Sequence, residues 1–266
     1  MKTVLTIAGS DCSGGAGIQA DIKTIFANGA YAMSAITAMT AQNTLGVTAV
    51  QSSTPEFLAQ QLDAVFTDIP PDAVKIGMVF SSDLAHIIGE KLRRYNARNV
   101  VLDPVMVASS GAKLLQPQAV DALKKELFPL ARVITPNLPE AEALLSREIP
   151  DKTAMEAAAK QLSDTFGCAV LLKGGHRSSD ADDVLYEQGT FHWFHGEHIS
   201  THNTHGTGCT LSSAIAVGLA DGCDVPTAVQ RAKDYVTGTL RANLRLGHGC
   251  GPIDHGWNIR KNLSNS

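Results

Sequence analysis

The chain alternates short apolar runs with amphipathic stretches, and this alternation constrains its fold more than any other feature. "VLTIAG" and "SAITAMTA" read as strands, as do "AVKIGMV", "NVVLDPV", "ARVITPN" and "CAVLLKGG". The last four are continuous rather than alternating in their apolar residues, the pattern of strands covered on both faces. Between the first two lies "GIQADIKTIFANG", a helix expected to end at Gly29. "TPEFLAQQLDAVFTD" follows as a second helix, with Thr54 as N-cap and Pro55 at its first position. "DVLYEQGTFHWF" predicts a hairpin at a sheet edge. Two helices close the chain, over "TLSSAIAVGLADG" and "PTAVQRAKDYVTGTLRANLRLG". Strand–helix alternation of this kind predicts an α/β fold in three layers around a mostly parallel, doubly wound sheet. No repeat, low-complexity tract or linker interrupts it, so a single domain over residues 1–266 is expected, with "RKNLSNS" frayed at the end.

Composition removes several classes of partner. A net charge of −4 gives no basis for binding nucleic acid or an anionic membrane. No apolar stretch is long enough to span a bilayer, and "MKTVLTIAGS" reads as a buried strand, not a signal peptide. The five cysteines are scattered and form no C-x-x-C pair, which points to a reduced, cytoplasmic protein. His192, His195, His198, His202 and His205 crowd one segment, but without H-E-x-x-H or a nearby cysteine pair they carry no zinc spacing.

In doubly wound sheets ligands sit beyond the carboxyl ends of the strands. The residues there are "GSDCSGGAG", "AQN", "GMV", "DPV", "TPN", "KGGH" and "HGTGC". In "HGTGCT" the glycines let successive N–H groups face one point, and the following helix adds its positive end. An anion hole suited to phosphate results, although a plain glycine turn before a buried helix has the same letters. Cys209 falls in the first turn, where a thiolate is favoured and its pKa lowered. It would be either a base that deprotonates an attacking hydroxyl or a small buried cysteine. Asp103 ends one strand. Asn137 and Glu140 follow the next and would hold a hydrated Mg²⁺ and a phosphate, or form a capping box, or both. Lys173, beside two glycines, would meet phosphates or lie in solvent. Asp11 and Asp21 would bind a polar ligand, or cap the loop and lie on a solvated helix face.

Two nucleotide fingerprints come close and fail. Gly15, Gly17 and Ala20 match G-x-G-x-x-A, but the second strand ends in "TAQNT" without the carboxylate that holds a ribose. Gly9 and Gly14 have Walker A spacing, but Gly15 stands where the lysine belongs.

Taken together, "LTIAGSDCSGGAGIQADIKT", "KIGM", "VVLDPVM", "ITPNLPEAE", "KGGH" and "THGTGCTLSSA" resemble the hydroxymethylpyrimidine/phosphomethylpyrimidine kinases of thiamine biosynthesis, in the ribokinase-like superfamily. The match runs in order along nearly the whole chain. The resemblance implies a ribokinase-like three-layer α/β/α sandwich that transfers the γ-phosphoryl of ATP, with Mg²⁺, to an aminopyrimidine hydroxymethyl group. A second phosphoryl then goes onto that phosphate. It implies Cys209 as the base, with Gly206, Thr207 and Gly208 as anion hole. Asp103 and Glu140 would act on Mg²⁺ through water, with Asn137 and Lys173 on the nucleotide phosphates. Gly9, Asp21, Gln42, Met78 and Val105 would line the pyrimidine pocket. Residues 106–115 would be a mobile lid, and adenine would lie against the last helices near Lys233. A homodimer is implied too. Relatives in the same branch phosphorylate pyridoxal, so pyridoxal/pyridoxine kinase, alone or as a second activity, is the alternative. Gln42 is the discriminator, because its amide offers both a donor and an acceptor to an aminopyrimidine.

Overall fold

The computed structural model describes residues 1–106, 117–175 and 181–259. The expected lid, apart from Met106, and the expected frayed end at 260–266 lie outside the described residues. The strands are β1 (Thr3–Asp11), β2 (Tyr31–Asn43), β3 (Gly46–Ser52), β4 (Ala73–Ile76), β5 (Val100–Leu102), β6 (Val133–Ile134), β7 (Ala169–Leu172), β8 (Asp183–Glu187) and β9 (Thr190–Phe194). They form one sheet in the order β3-β2-β1-β4-β5-β6-β7-β8-β9. Pairing is parallel from β2 through β1, β4, β5 and β6 to β7. It is antiparallel at the two edges, β2–β3 on one side and β7–β8–β9 on the other.

The helices are α1 (Gly17–Ala27), α2 (Pro55–Asp68), α3 (Ser82–Arg94), α4 (Pro117–Ala122), α5 (Leu138–Leu145), α6 (Lys152–Phe166), α7 (Thr207–Ala220) and α8 (Val225–Arg241). Successive strand residues feed opposite cores, which is why the runs are continuously apolar. Leu5, Ile7, Val74, Ile76 and Leu102 face α2, α3 and α6 through Leu58, Leu62, Ile88 and Met155. Val4, Ala73, Val101 and Val133 face α1, α7 and α8 through Ile25, Ile215 and Val229. The expected sandwich is therefore present, with a mostly parallel sheet between two helical layers. Thr54 caps α2 by accepting the Phe57 N–H, with Pro55 in the first turn, as its sequence predicts. No helix among the described residues is long and apolar enough to cross a membrane.

β1 lies between β2, to which it leads through α1, and β4, which the chain reaches from β3 through α2, so the winding reverses at β1. That reversal opens a crevice at the carboxyl end of β1. Beside it the β1–β2 register shifts between Ala8 and Ser10. Irregular pairing of this kind re-aims side chains near sites. A Cβ on Gly9 would lie 2.4 Å from Met78 Cε, so glycine lets that thioether lie across the crevice floor.

Candidate active site

The crevice is a cavity of about 830 Å³ walled by the ends of β1, β2 and β5, the first turns of α5 and α7, and the face of α8. Of the pocket residues expected from sequence, Gly9, Gln42, Met78 and Val105 line it. Asp103, Asn137, Glu140 and Lys173 line it on the nucleotide side, and Gly206 to Cys209 at its centre.

The centre is built by a left-handed residue. Gly206, the N-cap of α7, has φ 87° and ψ 4°. A Cβ there would meet Gly15 O at 1.9 Å, so only glycine fits. Among the described residues, the N–H groups of Gly206, Gly208 and Cys209 find no protein acceptor, and all three residues face the cavity. Orphan donors at a helix start form an anion site. Thr207 corrects the expectation. Its N–H and its Oγ1 both donate to Thr204 O, at 3.3 and 3.0 Å, so its donors hold the loop and do not face the anion.

Charged groups sit against this cluster. Asp103 Oδ1 accepts from Lys173 Nζ at 2.9 Å and from Thr135 Oγ1 at 3.1 Å. A Cβ on Gly208 would lie 3.2 Å from Asp103 Oδ2 and 3.5 Å from Lys173 Nζ, so the ion pair and the amides share one small space. Glu140 and Asn137 form the capping box, each side chain accepting the other's backbone N–H at 2.8 Å. Burial pushes the Glu140 carboxyl up to about 7, with Lys173 opposing and Asp103 adding to the rise. Burial likewise opposes the charge on Lys173, but Asp103 and Glu140 hold its pKa above the ordinary value.

Cys209 departs from the expected low pKa. Burial pushes its thiol up to about 11; Lys75 opposes the rise, and Asp21 and Asp103 add to it. The Gly17 N–H, at the start of α1, also favours the thiolate. Desolvation thus outweighs the helix end in the free protein. One helical turn deeper, Asp21 Oδ1 accepts from Ser213 Oγ at 2.8 Å, while Oδ2 accepts from Thr6 Oγ1 at 2.6 Å and Lys75 Nζ at 2.8 Å. Asp21 and Lys75 are fully buried. Asp21 is therefore neither on a solvated face nor on the cavity wall; it ties α1, α7 and β4 together beneath the base.

Lys233 lines the cavity at its far end. Its three N–H groups go to Asp183 Oδ2 at 2.6 Å and to the Ala181 and Phe194 carbonyls, both at 3.1 Å. Ile199, Val236 and Leu240 line the same end of the cavity with apolar surface.

Asp11 caps its loop, one of the two expected roles, and sequence reading missed its distant partner His205. The Asp11 carboxylate accepts the N–H groups of Ser13, Gly15 and Ala16 at 2.9 to 3.1 Å and pairs with His205 Nε2 at 2.8 Å. Burial opposes its charge, but the bonds from His205 and the loop amides bring its pKa down to about 2. A Cβ on Gly15 would meet His205 Cδ2 at 2.2 Å, so the imidazole lies flush on the first glycine loop. Gln42 reaches the same point, its amide 3.3 Å from His205 Nε2 and 3.0 Å from Thr40 Oγ1. Only the aspartate before the glycines and the histidine before "GTGC" signalled this link in sequence.

A family model described as phosphomethylpyrimidine kinase matches residues 11–254. The chain is 51% identical over 254 residues to the thiamine biosynthesis bifunctional protein ThiED of Geobacter sulfurreducens, covering 95% of this chain and 52% of that protein. It thus spans about half the length of that relative. To the hydroxymethylpyrimidine/phosphomethylpyrimidine kinase of Rhizobium meliloti it is 50% identical over 255 residues, covering 94% of this chain and 96% of the other. Among solved structures, an ADP complex of Bacillus subtilis pyridoxal kinase is similar with a TM-score of 0.90 at 36% identity, over 97% of this chain and 99% of that one.

Proposed function

The chain belongs to the phosphomethylpyrimidine kinase family, and from that premise we propose how its residues divide the work of phosphorylation. The protein is an ATP-dependent kinase of thiamine biosynthesis, acting on hydroxymethylpyrimidine and then on the resulting monophosphate. Phosphoryl transfer asks the protein mainly for positioning and for stabilisation of charge on the moving group. The observation that carries the reading is the trio of unpartnered amides of Gly206, Gly208 and Cys209, facing the Asp103–Lys173 pair inside one cavity. These amides receive the transferred oxygens, and Lys173 and the Asn137 amide meet the nucleotide phosphates. Gly9, Gln42, Met78 and Val105 hold the pyrimidine, and the apolar end by Val236 and Leu240 takes adenine.

Cys209 accepts the hydroxymethyl proton in the first transfer. In the second the acceptor is already anionic. Asp103 and Glu140 fit a mostly hydrated Mg²⁺: no cluster of three metal-ligating side chains exists among the described residues, and Glu140 is a buried carboxylate whose charge wants a counter-ion. When bound, Mg²⁺ supplies positive charge to the phosphate oxygens. The whole chain acts as one kinase domain, in the cytoplasm, where its five free cysteines remain reduced. Met39, Leu45 and Val50, exposed on the β2–β3 edge, support a homodimer. The test is direct. Purified protein is incubated with ATP, Mg²⁺ and hydroxymethylpyrimidine, and the products are weighed by mass spectrometry. Monophosphate followed by diphosphate is expected; ATP left intact would end the reading. The same assay with pyridoxal measures the rival acceptor.

A further inference from the structure

The anion loop is fastened at both ends by one short piece of chain. Just before the three unpartnered amides, the His205 N–H donates to Gly251 O at 3.1 Å. Just after them, Thr210 Oγ1 shares a hydrogen bond of 3.0 Å with His255 Nε2, and both side chains are buried. Gly206, Gly208 and Cys209 therefore lie between two bonds to residues 251–255. That segment is itself held against α8. Tyr235 Oη donates to His255 O at 2.6 Å, and the Asp254 N–H donates to Thr239 O at 3.4 Å. A Cβ on Gly238 would meet the Trp257 ring at 2.2 Å, so the indole lies directly on the helix backbone. Thr210 and His255 are not among the residues that line the cavity; they stand behind its wall.

α7 needs such a fastening. From Thr210 to Ala220 every residue of it is buried, and the surfaces it meets are mostly aliphatic. Apolar contact is non-directional, so it does not by itself fix how far a helix slides or turns. Directional bonds must do that. Beyond Thr207, and among the described residues, two side chains of α7 bond outside the helix: Ser213 to Asp21 Oδ1, and Thr210 to His255. Thr210 is also the residue whose N–H closes the first turn, on Gly206 O at 2.9 Å. A shift of its side chain therefore carries the turn that holds the amides. Burial takes the His255 pKa down to about 4, with Lys23 and His205 adding to the fall, so the ring stays neutral near neutral pH. We propose that His255 is a positioning residue for phosphoryl transfer, acting through Thr210 to hold the anion-hole amides, with residues 251–255 as their brace. The inference rests on the kinase reading above. The amides receive the transferred group in both steps, whichever acceptor is present, so the brace supports both transfers alike. In this it differs from Cys209, whose work is confined to the first.

The measurement is single-turnover transfer to hydroxymethylpyrimidine and, separately, to its monophosphate. Thr210→Val removes the hydroxyl and keeps the β-branched shape. His255→Leu removes the ring nitrogen. Each is expected to slow both transfers by the same factor, between about tenfold and ~10²-fold, the loss that a small misplacement of the donors brings. Thr210→Ser and His255→Gln keep a polar partner at the same place and retain both rates within about threefold. The double variant Thr210→Val/His255→Leu is no slower than the slower single one, because both changes break the same bond. Inorganic phosphate is the second probe: the rise it brings in wild-type Tm shrinks in both single variants. That arm needs no acceptor. If wild type fails to phosphorylate the pyrimidine, the kinase reading falls, and phosphate binding still decides the brace. If His255→Leu does not fold, Thr210→Val decides alone. A merely structural pair would lower Tm but leave both rates, and the gain from phosphate, at wild-type values. The proposal is overturned by that result, by slowing of the first transfer only, or by single losses that multiply in the double variant.

Discussion

Cys209→Ala separates the two transfers, because they ask different things of the thiol. The first acceptor is an alcohol that must lose its proton. The second is a phosphate monoester, largely ionised above a pKa of about 6. Burial pushes the Cys209 thiol up to about 11, only partly countered by Lys75. At pH 7 the thiolate is then roughly 10⁻⁴ of the free enzyme, and it grows about tenfold with each pH unit. If the thiolate is the acting base, kcat/KM for the first transfer climbs by up to ~10² between about pH 7 and 9, while that for the second stays flat. Alanine removes the base but leaves the amides of Gly206 and Gly208 in place. The first transfer should fall by ~10²–10⁴, the range of general-base catalysis, or about 3–5 kcal/mol of barrier. The second should fall by less than about tenfold, and the pH slope of the first should vanish. Single-turnover assays with each acceptor alone keep product release from masking the chemistry. Equal losses in both steps, or a wild-type first step without slope, would refute the base role.

Other outcomes follow from the same geometry. Glu140→Gln keeps the capping-box acceptor and removes a charge that burial disfavours. A carboxyl raised from 4.5 to about 7 in the folded state binds more protons there than when unfolded, so the wild type loses stability as pH rises through that window. The variant should be more stable than wild type at pH ~8 by on the order of 1–3 kcal/mol, show no gain at pH ~4, and lose its Mg²⁺-induced rise in Tm; thermal melts with and without Mg²⁺ check both. Lys75→Met leaves the fully buried Asp21 unpaired and should cost ~3–5 kcal/mol, of which a second change, Asp21→Asn, restores more than about 1. Urea unfolding that shows no recovery would remove the charge explanation. Gln42→Met should lower kcat/KM for the aminopyrimidine by more than ~10-fold; steady-state kinetics that match wild type would remove Gln42 from recognition.

The sandwich was legible because both faces of the sheet are buried, so β5 and β7 read as unbroken apolar runs and β4 as one interrupted only by Lys75. β3 was not: "GVTAVQS" is mostly exposed on an antiparallel edge, and no core imprints a pattern on it. The glycine-rich anion loop was legible because a left-handed start and an open amide cluster demand glycine locally. The roles that changed belong to side chains whose partners are distant in sequence. Asp21 looked like a helix-surface residue until the fold brought Lys75, 54 positions away, onto it. His205 looked like one of a crowd until Asp11, 194 positions away, met it. Lys233 gains its partner Asp183 from 50 positions away. The Cys209 pKa was misjudged for a related reason: the helix end is written locally, but the desolvation that outweighs it is not.

The cavity is internally paired, and this bears on how its ligands arrive. Lys173 is spent on Asp103 at 2.9 Å. On the proposed reading, a nucleotide phosphate must take Lys173 from Asp103, and Mg²⁺ must take Asp103 from Lys173. Either exchange alone leaves one buried charge without its partner, which is costly at a site this desolvated. Both together replace a single ion pair with two, and Mg²⁺ also answers the buried Glu140 carboxylate whose charge is disfavoured. Mg²⁺ and nucleotide are therefore coupled through that one ion pair, so each should tighten the binding of the other by the same factor. The glycine at 208 leaves room for the exchange, because a Cβ there would press on Asp103 Oδ2 at 3.2 Å.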